Sequence, residues 1–514
     1  MNTANISKNK ETKTYFIQTF GCQMNYSDSE RMSSYLDGIG FKQADSWQNA
    51  DLIVLNTCSV RQKAEDRVNG VVKHMRSINT NPELKVVLTG CIARRIWDDS
   101  RNVQNSSQKN YESRVEELQK LFPSIDIFVE TKHFATLAEK LGIEVKYNDN
   151  PDHYLSYKPK YKSKFQAYVP ISTGCNHFCT FCIVPFSRGK EVCRGSEEII
   201  REVFDLVKNG FKDITLLGQT VNRWINPDFK NEFDYNEATT YIAGLNTIPM
   251  NENDLKVWKE FFESKLSEAG SNMDEFKNLK QPRDFLQLLQ VLDQIPGDWW
   301  TTWVSSHPNY MTDRLIEFIG HSVKNGHQRP YLHFALQSGS NNQLKKMNRR
   351  YTFEDFQSRV NKIRKEIPNV SLSTDIIVGF INESEEEFQE TIKAQQLCRF
   401  DMIYISEYSP RPGTASARLK DNVPQEVKAD RKERLNDVLR EIAKENNEKL
   451  INTIQKVLIN GVDRKSEFLV GRTAQNKEIR ILNLTDQSLI GVFVNVKVVN
   501  AGPWALEGEL YNQH

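Results

Sequence analysis

The sequence predicts a multidomain α/β protein, and three observations support this fold class. The chain has 514 residues, which is more than one ordinary hydrophobic core accommodates. Strand-like and helix-like stretches alternate through residues 1–148 and through much of 149–447, as in parallel βαβ units. Five short strand-like runs, separated by turns, follow within residues 448–514 and are typical of a small β-barrel.

Composition and charge exclude several classes of protein. Hydrophobic residues make up 39% of the chain, which excludes wholesale disorder, and a net charge of +1 excludes a globally basic nucleic-acid coat. No apolar run approaches the roughly 18 residues of a membrane helix, and the polar beginning of the chain has no apolar signal core. We therefore expect a cytoplasmic protein with no membrane partner, whose eight cysteines serve as metal ligands or catalytic groups rather than disulfides.

The most specific feature is a C-x3-C-x2-C run formed by Cys175, Cys179 and Cys182. Thiolates this close together cannot be three corners of one regular helix or strand, but they can surround an iron–sulfur cluster in a loop. Three ligands leave one iron of a [4Fe–4S] cluster open, which indicates a site that binds a substrate or cofactor. An alternative is a zinc site with His177 as the fourth ligand, although no second Cys/His pair follows at the usual spacing.

Three more cysteines each follow a predicted strand: Cys22 after 14–20, Cys58 after 51–56 and Cys91 after 85–89. Helix-like stretches near 28–38 and 60–76 separate these strands, so the strands are expected to belong to one parallel sheet. Because the carboxyl ends of parallel strands meet at one edge, the three thiols are expected to share a second cluster site, again one ligand short. The alternative is three unrelated buried cysteines.

The rest of the chain predicts a partial (βα) barrel and the small β-barrel. Strands of the first include 211–217, 302–305 and 373–378. The runs of the second are 455–459, 468–472, 478–482, 491–499 and 505–510. A segment near 226–282 has six lysines and eleven acidic residues, a net charge of −5, and we interpret it as a partly helical surface insertion. The remainder therefore carries +6, so the neutral total does not argue against a polyanionic partner.

Two three-cysteine sites in this order resemble the methylthiotransferases, which are radical S-adenosylmethionine (SAM) enzymes. Supporting phrases are Gly21-Cys22-Gln23-Met24-Asn25, Asn56-Thr57-Cys58-Ser59-Val60-Arg61, Gln337-Ser338-Gly339-Ser340, Met347-Asn348-Arg349-Arg350-Tyr351-Thr352 and Tyr408-Ser409-Pro410-Arg411-Pro412-Gly413-Thr414. The C-x3-C-x2-C run, with Phe181 before its last cysteine, resembles the signature of the whole radical SAM superfamily. Gln23-Met24-Asn25 and Ser59-Val60-Arg61 favour the MiaB branch, whose members act on N6-isopentenyladenosine beside the anticodon of tRNA.

The resemblance implies three domains: an N-terminal methylthiotransferase domain (1–148), a radical SAM domain (149–447) and a C-terminal TRAM RNA-binding barrel (448–514). It implies SAM and two [4Fe–4S] clusters as cofactors, one cluster on the C-x3-C-x2-C run and an auxiliary cluster on Cys22, Cys58 and Cys91. In the family, one SAM methylates a sulfur on the auxiliary cluster, and a second yields the 5′-deoxyadenosyl radical that activates C2 of the adenine. Because C2–H is unactivated, no side chain is predicted to act as a catalytic base or nucleophile.

The resemblance also suggests contact residues. Those expected near SAM or the mouth of the site are Phe181, Gly218, Gln219, Gln337, Ser338 and Gly339. Candidate RNA contacts are Arg188, Arg194, Arg349, Arg350, Lys158 and Lys160. The two lysines lie in 154–168, where basic residues are interleaved with aromatic ones. The alternatives are simple turns, solvated arginines and a solvated linker. Two cysteines remain outside both sites: Cys193 as a neighbour of the radical site and Cys398 as a core residue.

The expected partners are tRNA carrying N6-isopentenyladenosine, an electron donor such as flavodoxin or ferredoxin, and the iron–sulfur assembly machinery. The enzyme is expected to act as a monomer. A second hypothesis keeps the chemistry but changes the target, to a threonylcarbamoyladenosine tRNA or a ribosomal-protein aspartate. A third hypothesis is a non-catalytic iron–sulfur module that binds RNA and senses redox state.

Overall fold

The computed structural model describes residues 12–58, 62–95, 108–144, 154–155, 157–228 and 282–511. The predicted insertion near 226–282 lies outside the described residues, apart from its two ends. The chain divides into two compact units. The first consists of Met1–Lys162, Gly174–Asn176 and Cys182–Glu191. The second consists of Ser163–Thr173, His177–Phe181 and Val192–His514.

The first unit contains the predicted parallel sheet. Its strands are β1 (Thr14–Phe20), β2 (Lys42–Gln43), β3 (Leu52–Thr57), β4 (Lys85–Gly90) and β5 (Ile127–Phe128). The strand order is β2-β1-β3-β4-β5, and every neighbouring pair is parallel. Phe20, Thr57 and Gly90, the last residues of β1, β3 and β4, lie side by side in the register. These three strands therefore end together at one edge of the sheet.

Helices cover both faces of this sheet. They are α1 (Gln23–Gly38), α2 (Gln62–Ile78), α3 (Cys91–Arg95), α4 (Gln108–Leu121) and α5 (Leu137–Lys140), with α6 (Val184–Ser187) added by the later segment. Successive residues of β3 point to opposite faces, so Ile53 and Leu55 join one core while Leu52 and Val54 join the other. A strand buried on both faces reads as a continuous apolar run, which is why the sequence identified it.

The second unit contains six parallel strands and one short antiparallel pair. The parallel strands are β6 (Gln166–Pro170), β9 (Asp213–Leu217), β10 (Trp300–Trp303), β11 (Tyr331–His333), β12 (Ser371–Val378) and β13 (Met402–Glu407). The antiparallel pair is β7 (Ser172–Thr173) with β8 (Val192–Cys193). One sheet runs β6-β9-β10 and another β11-β12-β13. Single parallel bridges, Thr301 to Gln328 and Ser306 to Phe334, connect β10 with the chain around β11. The six strands confirm the predicted partial (βα) barrel.

Helices alternate with these strands, and local capping residues mark where several of them begin. They are α7 (Ser196–Lys208), α8 (Phe285–Leu292), α9 (Asp313–Asn325), α10 (Asn341–Lys346), α11 (Phe353–Glu366), α12 (Glu385–Cys398) and α13 (Gln425–Glu448). Reciprocal capping boxes start α11, with Thr352 and Asp355, and α12, with Ser384 and Glu387. None of the helices described is long and apolar enough to cross a bilayer.

The predicted C-terminal barrel is also confirmed. Its strands are β14 (Ile454–Val462), β15 (Leu469–Thr473), β16 (Glu478–Ile481), β17 (Phe493–Ala501) and β18 (Ala505–Leu510), closed in the order β14-β15-β16-β18-β17. Arg329 joins the barrel to the parallel strands: it donates to the Thr473 carbonyl at 2.8 Å and forms an ion pair with Asp213 at 3.4 Å. Asp213 is the first residue of β9, so the barrel packs at the amino ends of the strands, away from their carboxyl ends.

Candidate functional site

Cys22, Cys58 and Cys91 lie at the edge where three adjacent strands of the first unit end. Cys22 is the N-cap of α1, Cys58 directly follows β3, and Cys91 is the first residue of α3 directly after β4. Cys58 and Cys91 are both 4% exposed, whereas Cys22 is exposed. The strand arrangement inferred from the cysteine spacing is therefore present, and the three thiols occupy equivalent positions on neighbouring strands.

The electrostatic surroundings favour thiolates at this edge. A hydrogen bond with the Cys58 thiol lowers the pKa of Cys91 to about 6, with a further contribution from Arg188, although burial opposes the shift. Arg188 itself is buried and forms an ion pair with the buried Asp28 at 2.7 Å. Because the thiolate is the form that binds iron, this donor set suits a [4Fe–4S] cluster held by three cysteines. Neither Arg188 nor Asp28 was given this role from the sequence.

Buried amides hold the first cysteine in place. The Asn25 side chain accepts hydrogen bonds from the Cys22 backbone at 3.3 Å and from its thiol at 3.4 Å, and donates to Asn56 at 3.1 Å. Asn56 in turn donates to the Ser29 hydroxyl at 2.9 Å. Asn25 and Asn56 are fully buried, so the hydrogen bond between their side-chain amides is shielded from water. The Gln-Met-Asn phrase therefore contributes a residue that fixes the Cys22 turn against β3.

A glycine in a left-handed conformation precedes a cysteine in each predicted cluster site. Gly90 has φ +92°, and a Cβ there would lie 2.2 Å from the Thr57 carbonyl oxygen. Gly174, before Cys175, has φ +77°, and its Cβ would lie 2.2 Å from the Lys190 carbonyl oxygen. No side chain fits either position, so the sharp turn that presents each thiol depends on glycine.

The C-x3-C-x2-C run is held by separate contacts in the two units. In the first unit, Cys175 is buried and its N–H donates to the Gly189 carbonyl at 3.1 Å; Cys182 is half-buried. In the second unit, the half-buried Cys179 accepts a hydrogen bond at 3.3 Å from Nη1 of Arg349. The adjacent Thr180 hydroxyl donates to the Lys346 carbonyl at 2.9 Å. The chain just before Arg349 thus positions the middle of the run.

His177, the fourth ligand of the zinc alternative, has a buried Nε2 with no hydrogen-bond partner among the described residues. Its ring stacks on His307 with centroids 4.4 Å apart and 3° between the planes. Burial, followed by the positive charges of Arg223, Arg349 and Arg350, lowers its pKa to about 3. Across the described ranges no three His, Cys, Asp or Glu side chains are grouped around a single-ion site. A four-iron cluster has no such requirement, since its thiolates bind separate irons.

Phe181 and the predicted SAM contacts lie in packed surroundings. Phe181 meets Phe380 edge to face at 6.3 Å, within the small core that also contains Tyr408. A Cβ on Gly218, directly after β9, would lie 2.6 Å from the Ser172 hydroxyl. The side-chain Oε1 of Gln219 is buried and has no hydrogen-bond partner among the described residues, which leaves an acceptor just after the carboxyl end of β9. These residues remain predicted SAM contacts.

The Gln337-Ser338-Gly339 segment packs on α12. The Ser338 hydroxyl is 3.3 Å from that of Thr391, and the Gly339 N–H donates to the same hydroxyl at 3.0 Å. A Cβ at Gly339 would meet the Glu390 carbonyl at 2.5 Å. Gln337 has φ +77° and donates through its N–H to the Asp375 carbonyl at 2.8 Å. Close packing explains the small residues here, and SAM contact by the segment stays a prediction.

The predicted RNA contacts fall into two groups. Arg188 and Arg194 are buried and already paired with carboxylates; for Arg194 the partner is Glu202 at 2.7 Å. Arg349 faces Cys179 rather than solvent. The exposed group consists of Lys158, Arg350 and Lys160, the last of which pairs with Asp37 at 2.8 Å. Contact with phosphate is therefore retained as a prediction chiefly for Lys158 and Arg350.

The two remaining cysteines differ in burial. Cys193 is half-buried in β8, opposite Ser172 of β7. Cys398 ends α12, is fully buried, and has a pKa that burial raises to about 12. A thiol this difficult to ionise suits the core position predicted for Cys398.

Comparison with known proteins gives the class of protein first. The family model described as Uncharacterized protein family UPF0004 matches residues 14–128, and that of the Radical SAM superfamily matches residues 169–394. These matches include the segments that carry all six predicted cluster ligands. The fold and the cysteine sites therefore define a radical SAM protein with an additional N-terminal domain.

Similar proteins then give the family. The tRNA-2-methylthio-N(6)-dimethylallyladenosine synthase of Geobacillus kaustophilus is 34% identical over 98% of this chain and 83% of its own. Those of Clostridium novyi and Finegoldia magna are 34% and 32% identical, over 98% of this chain and 98% and 96% of theirs. This chain belongs to the MiaB-type methylthiotransferase family.

Among solved structures, the radical SAM methyltransferase TsrM of Kitasatospora setae aligns with 87% of this chain and 81% of its own chain. The TM-score is 0.42 and the identity 11%, which is too distant to bear on function.

Proposed function

We propose that this chain is a radical SAM methylthiotransferase that adds a methylthio group to C2 of N6-isopentenyladenosine at position 37 of tRNA. The product is 2-methylthio-N6-isopentenyladenosine. The observation that carries the proposal is the family membership over nearly the whole chain, since relatives with this activity in their names match 98% of it. The arrangement of Cys22, Cys58 and Cys91 at a single sheet edge supports the same reaction.

The enzyme uses SAM and iron–sulfur clusters, and the residues that hold them are assigned as follows. Cys175, Cys179 and Cys182 hold the cluster that, when bound, supplies the electron for reductive cleavage of SAM. Cys22, Cys58 and Cys91 hold the auxiliary cluster, which supplies the sulfur. The Cys58 thiol and, to a smaller extent, Arg188 favour the thiolate of Cys91, Asn25 holds the Cys22 backbone, and Phe181 anchors the radical SAM loop against Phe380.

The proposal includes partners and location. The substrate is tRNA, which the C-terminal barrel helps to bind as a TRAM domain. A flavodoxin or ferredoxin supplies electrons, the iron–sulfur assembly machinery loads the clusters, and the enzyme works as a cytoplasmic monomer. Lys158 and Arg350, both exposed, are the best placed of the proposed phosphate contacts.

Nucleoside mass spectrometry tests the function directly. tRNA from cells with and without the gene is digested, and the methylthiolated and unmodified isopentenyladenosines are quantified. Loss of the methylthiolated form without the gene, and its return on complementation, is the expected result. An unchanged isopentenyladenosine profile, with a lost methylthio group on threonylcarbamoyladenosine or on a ribosomal-protein aspartate, would contradict the proposed target.

Cysteine substitutions test the division of labour between the two sites. In anaerobically reconstituted enzyme, Cys175→Ala should abolish 5′-deoxyadenosine production because the cluster that reduces SAM is lost. Cys58→Ala should keep SAM cleavage but lose methylthio transfer. Cys193→Ser serves as the control and should retain both activities. Methylthio transfer by Cys58→Ala would show that the auxiliary-site assignment is wrong.

A further inference from the structure

Arg349 makes a direct contact with a cysteine that the sequence assigns to the radical SAM cluster. Nη1 of Arg349 donates to Sγ of Cys179 at 3.3 Å, although 170 residues separate them in the chain. Nε donates to the Tyr351 hydroxyl at 2.9 Å and Nη2 to the Ala335 carbonyl at 3.3 Å. The guanidinium is therefore held from three sides, and only one of its partners is a sulfur ligand.

The charge of Arg349 has no carboxylate beside it. Within the described part of the chain Arg349 forms no ion pair, and its other partners are a phenol and a backbone carbonyl. The Tyr351 ring lies 5.2 Å from the guanidinium carbon, a cation–π arrangement, and the Tyr351 hydroxyl is itself fixed to the Leu336 carbonyl at 2.8 Å. Tyr351 thus orients the guanidinium without neutralising it.

A half-buried positive charge that donates to a thiolate ligand has a predictable effect on a cluster. Reduction adds one negative charge, and a neighbouring cation stabilises the reduced form more than the oxidised form. N–H donors to cluster sulfurs act in the same direction. Residues around metal ligands commonly tune a site in this way without touching the metal or the substrate.

Resting on the proposed function, we infer that Arg349 is a positioning residue that raises the reduction potential of the cluster bound through Cys179, so that a low-potential one-electron donor can reduce it. The residue acts through Cys179 and contacts neither SAM nor RNA in this role. Its earlier prediction as a phosphate contact is replaced by this one, because its guanidinium is committed to the cysteine loop.

The test is a redox titration of the reconstituted full-length enzyme, followed by electron paramagnetic resonance of the signal that changes when SAM is added. Arg349→Gln removes the charge but keeps an N–H donor. At a fixed ambient potential its ratio of reduced to oxidised cluster should fall about ten-fold, equivalent to ~59 mV for a one-electron couple. Arg349→Lys keeps the charge and should stay close to the wild type. Arg359→Gln, which removes a partly exposed arginine paired with Asp313, is the matched control and should show no shift.

The outcomes separate this inference from the proposed function. A wild-type enzyme without a SAM-sensitive signal would refute the proposed function. A normal wild-type signal with an unshifted Arg349→Gln, or with Arg349→Lys shifted as far as Arg349→Gln, would overturn the role of the charge. If Arg349→Gln retains too little iron to titrate, Arg349→Lys and Tyr351→Phe decide: charge tuning requires both to lie near the wild type, and a ten-fold loss in Arg349→Lys refutes it.

Discussion

An arginine lies beside a thiol in both cysteine regions, but the surroundings of its charge differ. At the sheet edge of the first unit, Arg188 lies near Cys91 and is neutralised by Asp28 at 2.7 Å. In the second unit, Arg349 donates to Cys179, and its other partners among the described residues are neutral. An uncompensated cation stabilises the reduced form of a cluster and so favours electron uptake. An ion pair with no net charge has little effect on that equilibrium, which suits a site that transfers sulfur without changing its charge. The difference matches the two proposed roles.

The surroundings of the two regions extend this contrast. Amide side chains such as Asn25 and Asn56 surround the first region with neutral hydrogen bonds. Around the second region, Arg223 and Arg349 contribute with burial to lowering the pKa of His307 well below its ordinary value. The second region is therefore the more electropositive of the two.

Removing the compensating carboxylate should have the largest effect. Asp28→Ala leaves Arg188 buried and unpaired, which costs about 3–5 kcal/mol of folding free energy. Thermal unfolding of the cluster-free protein measures this loss. Lys160→Ala is the matched control: it removes an exposed ion pair with Asp37 that contributes at most ~1 kcal/mol. Equal destabilisation by the two variants would contradict the claim that Asp28 neutralises a buried Arg188.

Both cysteine regions have a glycine with positive φ directly before a cysteine, and substituting that glycine tests whether the turn requires it. Gly90→Ala forces a left-handed φ on alanine and drives its Cβ against the Thr57 carbonyl, so it should cost more than the ~1–3 kcal/mol of backbone strain alone. Gly413→Ala, at φ +91° with no atom within 4 Å of its Cβ, isolates the strain. Stability of both variants and iron bound after reconstitution are measured. A smaller loss in Gly90→Ala than in Gly413→Ala would contradict the packing argument.

Lowering the pH should reduce the folding stability through His307, which lies in the electropositive second region. His307 is neutral in the folded protein because burial and nearby cations lower its pKa, so between its folded pKa and the unfolded value near 6.5 only the unfolded state gains the proton. This contribution to stability is intact above about pH 6.5 and falls by about 1.4 kcal/mol per pH unit well below it. The stability difference between wild type and His307→Gln should therefore shrink as the pH falls toward 5. A pH-independent difference would disprove the shift.

The smallest effects concern tRNA affinity. Arg350→Gln in the second unit and Lys158→Gln in the first each remove one exposed positive charge, which should weaken tRNA binding a few-fold and reduce the salt slope by about 1. Filter binding at several salt concentrations measures both quantities. Arg359→Gln controls for a general loss of charge. If only one substitution changes the slope, RNA contacts only that region; if neither does, both contact assignments are wrong.

The sequence by itself determined most of the fold and the six candidate ligands. The strands at 14–20 and 505–510 were predicted with their observed ends, and the ends of the strands before Cys58 and Cys91 were placed within one residue. Such features follow from local rules: the periodicity of apolar residues, the glycines at turns and the spacing of thiols along the chain.

Only the tertiary structure decided how each thiol is charged and held. Arg188 and Asp28 are 160 residues apart, and Arg349 and Cys179 are 170 apart, so no local pattern encodes either contact. From the sequence, all four arginines singled out as phosphate contacts looked equivalent. Folding buries two of them in ion pairs, directs Arg349 at a cysteine and leaves Arg350 exposed. The role of a charge depends on which group faces it, and packing between distant segments sets that choice.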